Sequence, residues 1–184
     1  MNVQTTITAE RSPRLAVIPA AVPGRTHNIG IAEQQVVRAP DKLSTLGLGS
    51  CVGLVLYDPL SKVGGMVHIM LPTAPQNVQD LNRAKYADTA VPDLVRRLAA
   101  AGAQPRRLIA KLAGGAHMFN TAKNIDFMNV GDRNVEHCKR MLFQHSIPII
   151  AEDTGGSSGR SIEFCCETGL LQVRTVSPKN IKLL

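Results

Sequence analysis

Tryptophan is absent from this 184-residue chain, and aromatic residues make up only 3% of it. That scarcity removes the stacking platforms of single-strand nucleic-acid binders, and no helix-turn-helix or zinc-finger pattern replaces them, so nucleic acid is not an expected partner. Paired CxxC spacing is missing as well. Cys51, Cys138, Cys165 and Cys166 offer neither a structural zinc site nor a redox pair, and His117, His137 and His145 are not spaced as a metal set. Neither metal nor cofactor is expected. Nowhere do about 20 consecutive apolar residues occur to span a bilayer, and no signal-peptide core opens the chain, so no membrane insertion and a cytoplasmic location are expected. A reducing compartment keeps thiols available for chemistry. Runs of like charge are lacking too: the net charge of +7 is spread along the chain. A diffuse positive field favours encounter with an acidic partner without choosing its kind.

Residues 1–27 carry Pro13, Pro19, Pro23 and Gly24 among small and polar residues. Little there can be buried, so they read as a flexible N-terminal extension to a single domain over residues 28–184. The run from Gly30 to Arg38 predicts a first strand, closed by Pro40. Leu43 to Tyr57 reads as two extended segments broken at a tight turn around Gly47, Gly49 and Ser50, and Val63 to Leu71 reads as a buried strand with His68 inside it. Apolar residues at Ala87, Ala90, Val91, Leu94, Val95 and Leu98 have helical spacing within Leu81 to Ala101, where Pro92 requires a helix start near Asp88 or Thr89, or a kink. Gly102 ends that helix. A strand over Arg107 to Leu112, a second helix over Val130 to His145, and strands near Ile147 to Glu152, Ser161 to Cys166 and Leu170 to Val176 complete the pattern. Strands outnumber helices without strict alternation, which favours α+β layers over a doubly wound sheet.

A thiol that attacks an amide needs a neighbour that takes its proton, because a cysteine with a pKa of about 8.5 is mostly protonated near neutrality. It also needs access. Cys51 directly follows Gly47-Leu48-Gly49-Ser50, where small residues let the backbone turn and a substrate approach, and amides of this turn (Gly49, Ser50) are candidate oxyanion donors. His68, 17 residues on, can return beside Cys51 if the two segments are adjacent strands. Against this stands ordinary packing: a cysteine among Leu, Val and Gly is usually a small core residue, and a lone strand histidine usually finds a backbone partner. Gly114-Gly115 and Gly155-Gly156 fit neither phosphate-loop spacing and read as tight turns lining a cleft. Asp153 reads as a turn cap, Asp88 or Thr89 as a helix cap, and Arg96, Arg97, Arg106 and Arg107 as solvated charge near a helix end. Arg133 and Asn134 are open between structure and docking.

The segment Thr45-Leu46-Gly47-Leu48-Gly49-Ser50-Cys51-Val52, with Gly65-Met66-Val67-His68-Ile69-Met70-Leu71-Pro72, resembles the CheD family of chemoreceptor glutamine deamidases. Lys85 to Ala90 (KYADTA), Ala110 to Ala116 (AKLAGGA), Gly131 to Val135 (GDRNV), and Ala151 to Gly156 with Gly159-Arg160 are similar to further boxes of that family. The resemblance spans roughly residues 28 to 176, in order. It implies a layered α/β/β sandwich with helices on mixed sheets, like the cytotoxic-necrotizing-factor deamidases. It implies Cys51 as nucleophile, His68 as base and Thr45 as the residue that orients the imidazole. It also implies methyl-accepting chemoreceptor cytoplasmic domains as substrates, secondary methylesterase activity and a CheC-type phosphatase as a further partner. Regulation of that phosphatase as the main role, and proteolysis by the same Cys and His, are the competing expectations.

Overall fold

The computed structural model describes residues 23–117, 130–176 and 179–184. Ten strands form two sheets. The first sheet holds β1 (Thr26–Ile29), β3 (Lys42–Leu48), β8 (Arg160–Cys165), β9 (Leu171–Thr175) and β10 (Asn180–Leu183) in that spatial order, with β1 parallel to β3 and the other pairs antiparallel. The second has the order β2 (Gln34–Arg38), β5 (Val63–Ile69), β4 (Val52–Asp58), β6 (Ile109–Gly114) and β7 (Ile149–Thr154), antiparallel except for β6 and β7. Helices α1 (Ala87–Ala100) and α2 (Val130–Gln144) cover one face of the second sheet. The expected α+β sandwich of helices on mixed sheets is the observed architecture.

Layering explains the sequence patterns. The second sheet is covered on both faces, so β4 and β5 are buried at every residue and read as unbroken apolar runs. Val52, Leu54 and Leu56 pack toward the helices with Leu94, Leu98 and Leu142, while Val55, Tyr57 and Met66 pack against Leu43, Phe164 and Val173 of the first sheet. The first sheet has one open face, so β8 alternates buried and half-buried residues.

Three local expectations are revised. The first described strand begins at Thr26, two residues before the expected domain start, and residues 1–22 of the expected extension lie outside the described residues. The strand expected from Gly30 starts only at Gln34, because residues 31 and 32 form a turn in which Gly30 N–H donates to Glu33. Helix α1 begins at Ala87 and continues through Pro92. Its first turn is held from outside: Ala87 N–H donates to Leu71 O at 3.0 Å, which satisfies one of the amides that a helix start leaves free. Asp88 does not cap the helix; its carboxylate accepts the Ala74 amide at 3.0 Å. Gly102, at φ +93°, closes α1 as expected, with Ala103 N–H returning to Leu98 O.

Arg107 is not a solvated charge. Asp58 is fully buried and receives Arg107 Nε and Nη2 at 2.9 and 2.6 Å, together with amides of Gln104 and Leu60. The guanidinium and amides hold the Asp58 carboxyl well below the usual carboxylate range. Asp58→Ala is expected to cost about 3 kcal/mol, as for removal of one partner from a buried pair. A carboxyl with a depressed pKa stabilises fully above its unfolded value of about 3.9 and loses that contribution as pH falls toward the folded value. The urea midpoints of wild type and variant should therefore differ by a constant amount from neutrality to about pH 5 and converge only in stronger acid.

Candidate active site

Thr45 and His68 meet where the two sheets face each other, and Cys51 packs at the edge of the same layer. In the β4–β5 register Gly53 stands opposite His68, and Cys51 lies two residues before Gly53, at the bend that leads into β4. Side chains two apart in a strand share a face, and Cys51 packs against the cluster between the sheets. His68 faces that same layer. Thr45 enters it from β3 of the other sheet, with 1% of its surface exposed. Diagonal same-face neighbours in a sheet lie about 7–8 Å apart at the backbone, within reach of longer side chains. No side chain stands opposite the imidazole, because a Cβ on Gly53 would come within 2.6 Å of Ile162 Cδ1.

Hydrogen bonds fix the state of His68. Thr45 Oγ1 has a single hydrogen, which it donates to the Ile29 carbonyl at 2.7 Å. It must therefore accept the 2.8 Å bond from His68 Nδ1–H, leaving the lone pair on Nε2. That Nε2 is buried and has no hydrogen-bond partner among the described residues. The His68 backbone is held on both sides, its N–H donating to Glu33 O and its carbonyl accepting from Ala32 N–H, each at 3.0 Å.

The turn before Cys51 is held by its carbonyls. Gly49 O accepts Ala116 N–H at 2.7 Å, Ser50 O accepts Asn134 Nδ2 at 2.9 Å, and Cys51 O accepts Gly115 N–H at 2.8 Å. Across a trans peptide the N–H points opposite to the C=O, so the Ser50 and Cys51 amides turn away from this support. Neither donates to a described group. Gly114, at φ +111°, is obligatory here, since a Cβ would sit 2.2 Å from Cys51 O. Helix α2 closes in through Gly131, whose own Cβ would lie 2.6 Å from Gly115 O. The second glycine pair belongs to the same region: Gly155 N–H donates to Gly114 O at 3.0 Å, and His117 N–H to Gly156 O at 2.7 Å. Its loop is locked by Arg160, buried and bonded to Asp153 and to the carbonyls of Gly155 and Ser158. Asp153 is thus an ion-pair partner rather than the turn cap expected of it.

Burial acts on Cys51 and His68 in opposite directions. It pushes the Cys51 thiol up and the His68 imidazole down, because both charged forms lose solvation. Each group therefore favours its uncharged form. Cys138 and Cys166 are buried thiols pushed up to about 12, consistent with packing roles. A groove of about 220 Å³, bordered by Asn28, Ser44, Leu46, Glu163 and Arg174, lies on the outer side of β3 and β8. No group of His, Cys, Asp and Glu among the described residues could hold a metal ion. Sequence reasoning left Asn134 unassigned; the structure places it beside the thiol turn through a contact 84 residues away in sequence.

A family model described as "CheD chemotactic sensory transduction" matches residues 70–175, a span that begins after Thr45, Cys51 and His68. The protein named "Chemoreceptor glutamine deamidase CheD" of Halalkalibacterium halodurans is 56% identical over 149 residues, covering 80% of this chain and 92% of that protein. Proteins of the same name from Bacillus velezensis and Bacillus subtilis are 53% and 51% identical, each covering 80% of this chain and 90% of its own length. Among solved structures, the hypothetical protein YfiH of Bacillus licheniformis gives a TM-score of 0.44 at 12% identity, covering 72% of this chain and 60% of that one, which carries no functional weight.

Native labelling with iodoacetamide followed by peptide mass analysis is expected to modify the half-buried Cys51 and Cys165 and to spare Cys138 and Cys166 until the chain is unfolded. A raised thiol pKa means that the Cys51 rate keeps climbing beyond about pH 8.5. Cys165, whose thiolate receives hydrogen bonds from the 167–168 turn despite some burial, reacts at lower pH.

Proposed function

The chain belongs to the CheD family, and from that premise we propose that Cys51, His68 and Thr45 carry out its chemistry, the hydrolysis of glutamine side chains on chemoreceptors to glutamate and ammonia. It is an enzyme of the protein-glutamine glutaminase type acting in chemotaxis. The observation that carries the residue assignment is the Thr45–His68 bond, which leaves the imidazole lone pair on Nε2 in the layer that Cys51 borders.

The steps follow from the resting charges. As Cys51 Sγ adds to the carboxamide carbon, its proton passes to His68 Nε2, and the imidazolium keeps its Nδ1–H on Thr45. The oxygen that becomes anionic is met by the Ser50 and Cys51 amides; the Gly49 N–H, expected as a donor, instead donates to Gly47 O at 3.0 Å, and Gly47, at φ +72°, supplies the freedom of the turn. His68 then protonates the departing nitrogen, ammonia leaves, and a thioester joins the receptor side chain to the sulfur. Water, deprotonated by His68, attacks the thioester and releases glutamate and thiol. A glutamyl methyl ester enters the same thioester with methanol leaving, so methylesterase activity belongs to the same site. A hydroxyl orients the ring but stabilises imidazolium less than a carboxylate would, which suits a base that must be neutral at rest.

The partners are chemoreceptor cytoplasmic domains, which places the enzyme in the cytoplasm. A CheC-type phosphatase is a further proposed partner. No described helix is long and apolar enough to cross a membrane. The residues from β1 onward are proposed as a single domain, with the expected extension ending before Thr26.

Incubation with a receptor cytoplasmic fragment should release ammonia and convert glutamines to glutamates without shortening the fragment; backbone cleavage instead would identify a protease. Cys51→Ala should abolish the conversion, and retained phosphatase binding by that variant would separate regulation from catalysis. His68→Ala should lower kcat by about 10²- to 10⁴-fold. Thr45→Val should lower it by less than the roughly 10⁴-fold loss that follows disruption of a carboxylate orienter. A lowered imidazole pKa leaves His68 neutral to more acidic pH, so the acid limb of kcat/KM should fall below the ordinary value of about 6.5. Unchanged deamidation by Cys51→Ala removes the assignment.

A further inference from the structure

Two buried polar side-chain atoms at the site have no hydrogen-bond partner among the described residues: His68 Nε2 and Asn134 Oδ1. The first is explained by the mechanism. The second belongs to a side chain with no exposed surface, on α2, whose Nδ2 donates to Ser50 O and to Met70 O, both at 2.9 Å. These carbonyls occupy equivalent places. Ser50 immediately precedes the nucleophile, Met70 lies two residues beyond the base, and the β4–β5 register ends between them at Val52 and Ile69. One amide group therefore ties the nucleophile turn to the end of the base strand where the backbone ladder no longer does.

We propose that Asn134 is a positioning residue for the deamidation: by holding the Ser50 carbonyl it turns the Ser50–Cys51 peptide so that the Cys51 N–H faces the reacting oxygen. This deepens the reading given above and rests on it. Asn134 does not touch substrate. It acts through the peptide whose carbonyl it binds, since rotation of that plane moves the donor on its other end. The rigid approach of α2 makes the hold effective, because Gly131 sits flush against Gly115 and Ala116 and fixes how deeply Asn134 reaches. A buried acceptor left without a partner costs stability, and retaining an amide at this position where both its hydrogens are used is consistent with a task that only a double donor performs.

The test separates a positioning role from a packing role. In Asn134→Ala, kcat on the receptor fragment is expected to fall about 10²- to 10³-fold, the effect of losing one oxyanion donor, with KM little changed. Alkylation of Cys51 by iodoacetamide, which builds no oxyanion, should stay within about threefold of wild type. Asn134→Asp gives a second reading: its carboxylate has no hydrogen to offer, whereas its protonated form offers one, so its kcat deficit relative to wild type should narrow as pH is lowered. A readout independent of receptor turnover is capture of a peptide aldehyde ending in a glutamine-like side chain. There the Cys51 sulfur adds to the carbonyl carbon, and the thiol proton moves to the oxygen that the same amides bind. Wild type should capture it about 10²-fold more tightly than Asn134→Ala. Equal capture, equal kcat, or a parallel loss of alkylation, kcat and melting temperature overturns the proposal. Capture and alkylation by wild type without ammonia release from the receptor would overturn the deamidase reading instead, leaving the aldehyde comparison to decide the role of Asn134.

Discussion

A single hydroxyl joins the two sheets at the point where the chemistry is placed. Thr45 comes from one sheet and His68 from the other, and both are buried between the layers. Such a site is tolerated only if each polar atom finds a partner or is held in reserve. Thr45 Oγ1 meets that demand by donating to Ile29 and accepting from His68, and this order of donor and acceptor determines which imidazole nitrogen carries the proton. The free Nε2 of His68 follows from that one arrangement.

The nucleophile is held differently, through backbone alone. Carbonyls of Gly49, Ser50 and Cys51 are each bound from behind, by Ala116, Asn134 and Gly115. Residues 114 and 115 must be glycine for the chains to approach so closely, with φ of +111° and +64°. The second glycine pair, at 155 and 156, is braced in turn by the buried Arg160–Asp153 ion pair. Rigidity passes inward from an ion pair through two glycine turns to the thiol. This is the kind of second support that a reactive group needs to stay within a fraction of an ångström of its working position.

Burial settles the electrostatics. With the thiol raised and the imidazole lowered in pKa by burial, both groups favour their uncharged forms. A neutral threonine orienter fits that regime better than a carboxylate, which would draw a proton onto the imidazole before the thiol gave one up.

Composition, periodicity and turn residues were enough to place most strands and both helices, to foresee layers rather than a wound sheet, and to draw attention to Cys51 after its glycine turn. The resemblance to CheD added Thr45 and implied the role of His68. Local pattern misjudged Asp88, Asp153 and Arg107, because each is governed by a partner that periodicity does not reveal: the Ala74 amide, Arg160 and Asp58. The same holds for Asn134, whose two carbonyl partners lie 84 and 64 residues away. Which residues could do chemistry was written in the chain by residue type and spacing. Which nitrogen is free, which amides face outward and which charges exist at rest were decided only by packing, since those depend on donors, acceptors and desolvation supplied by distant segments.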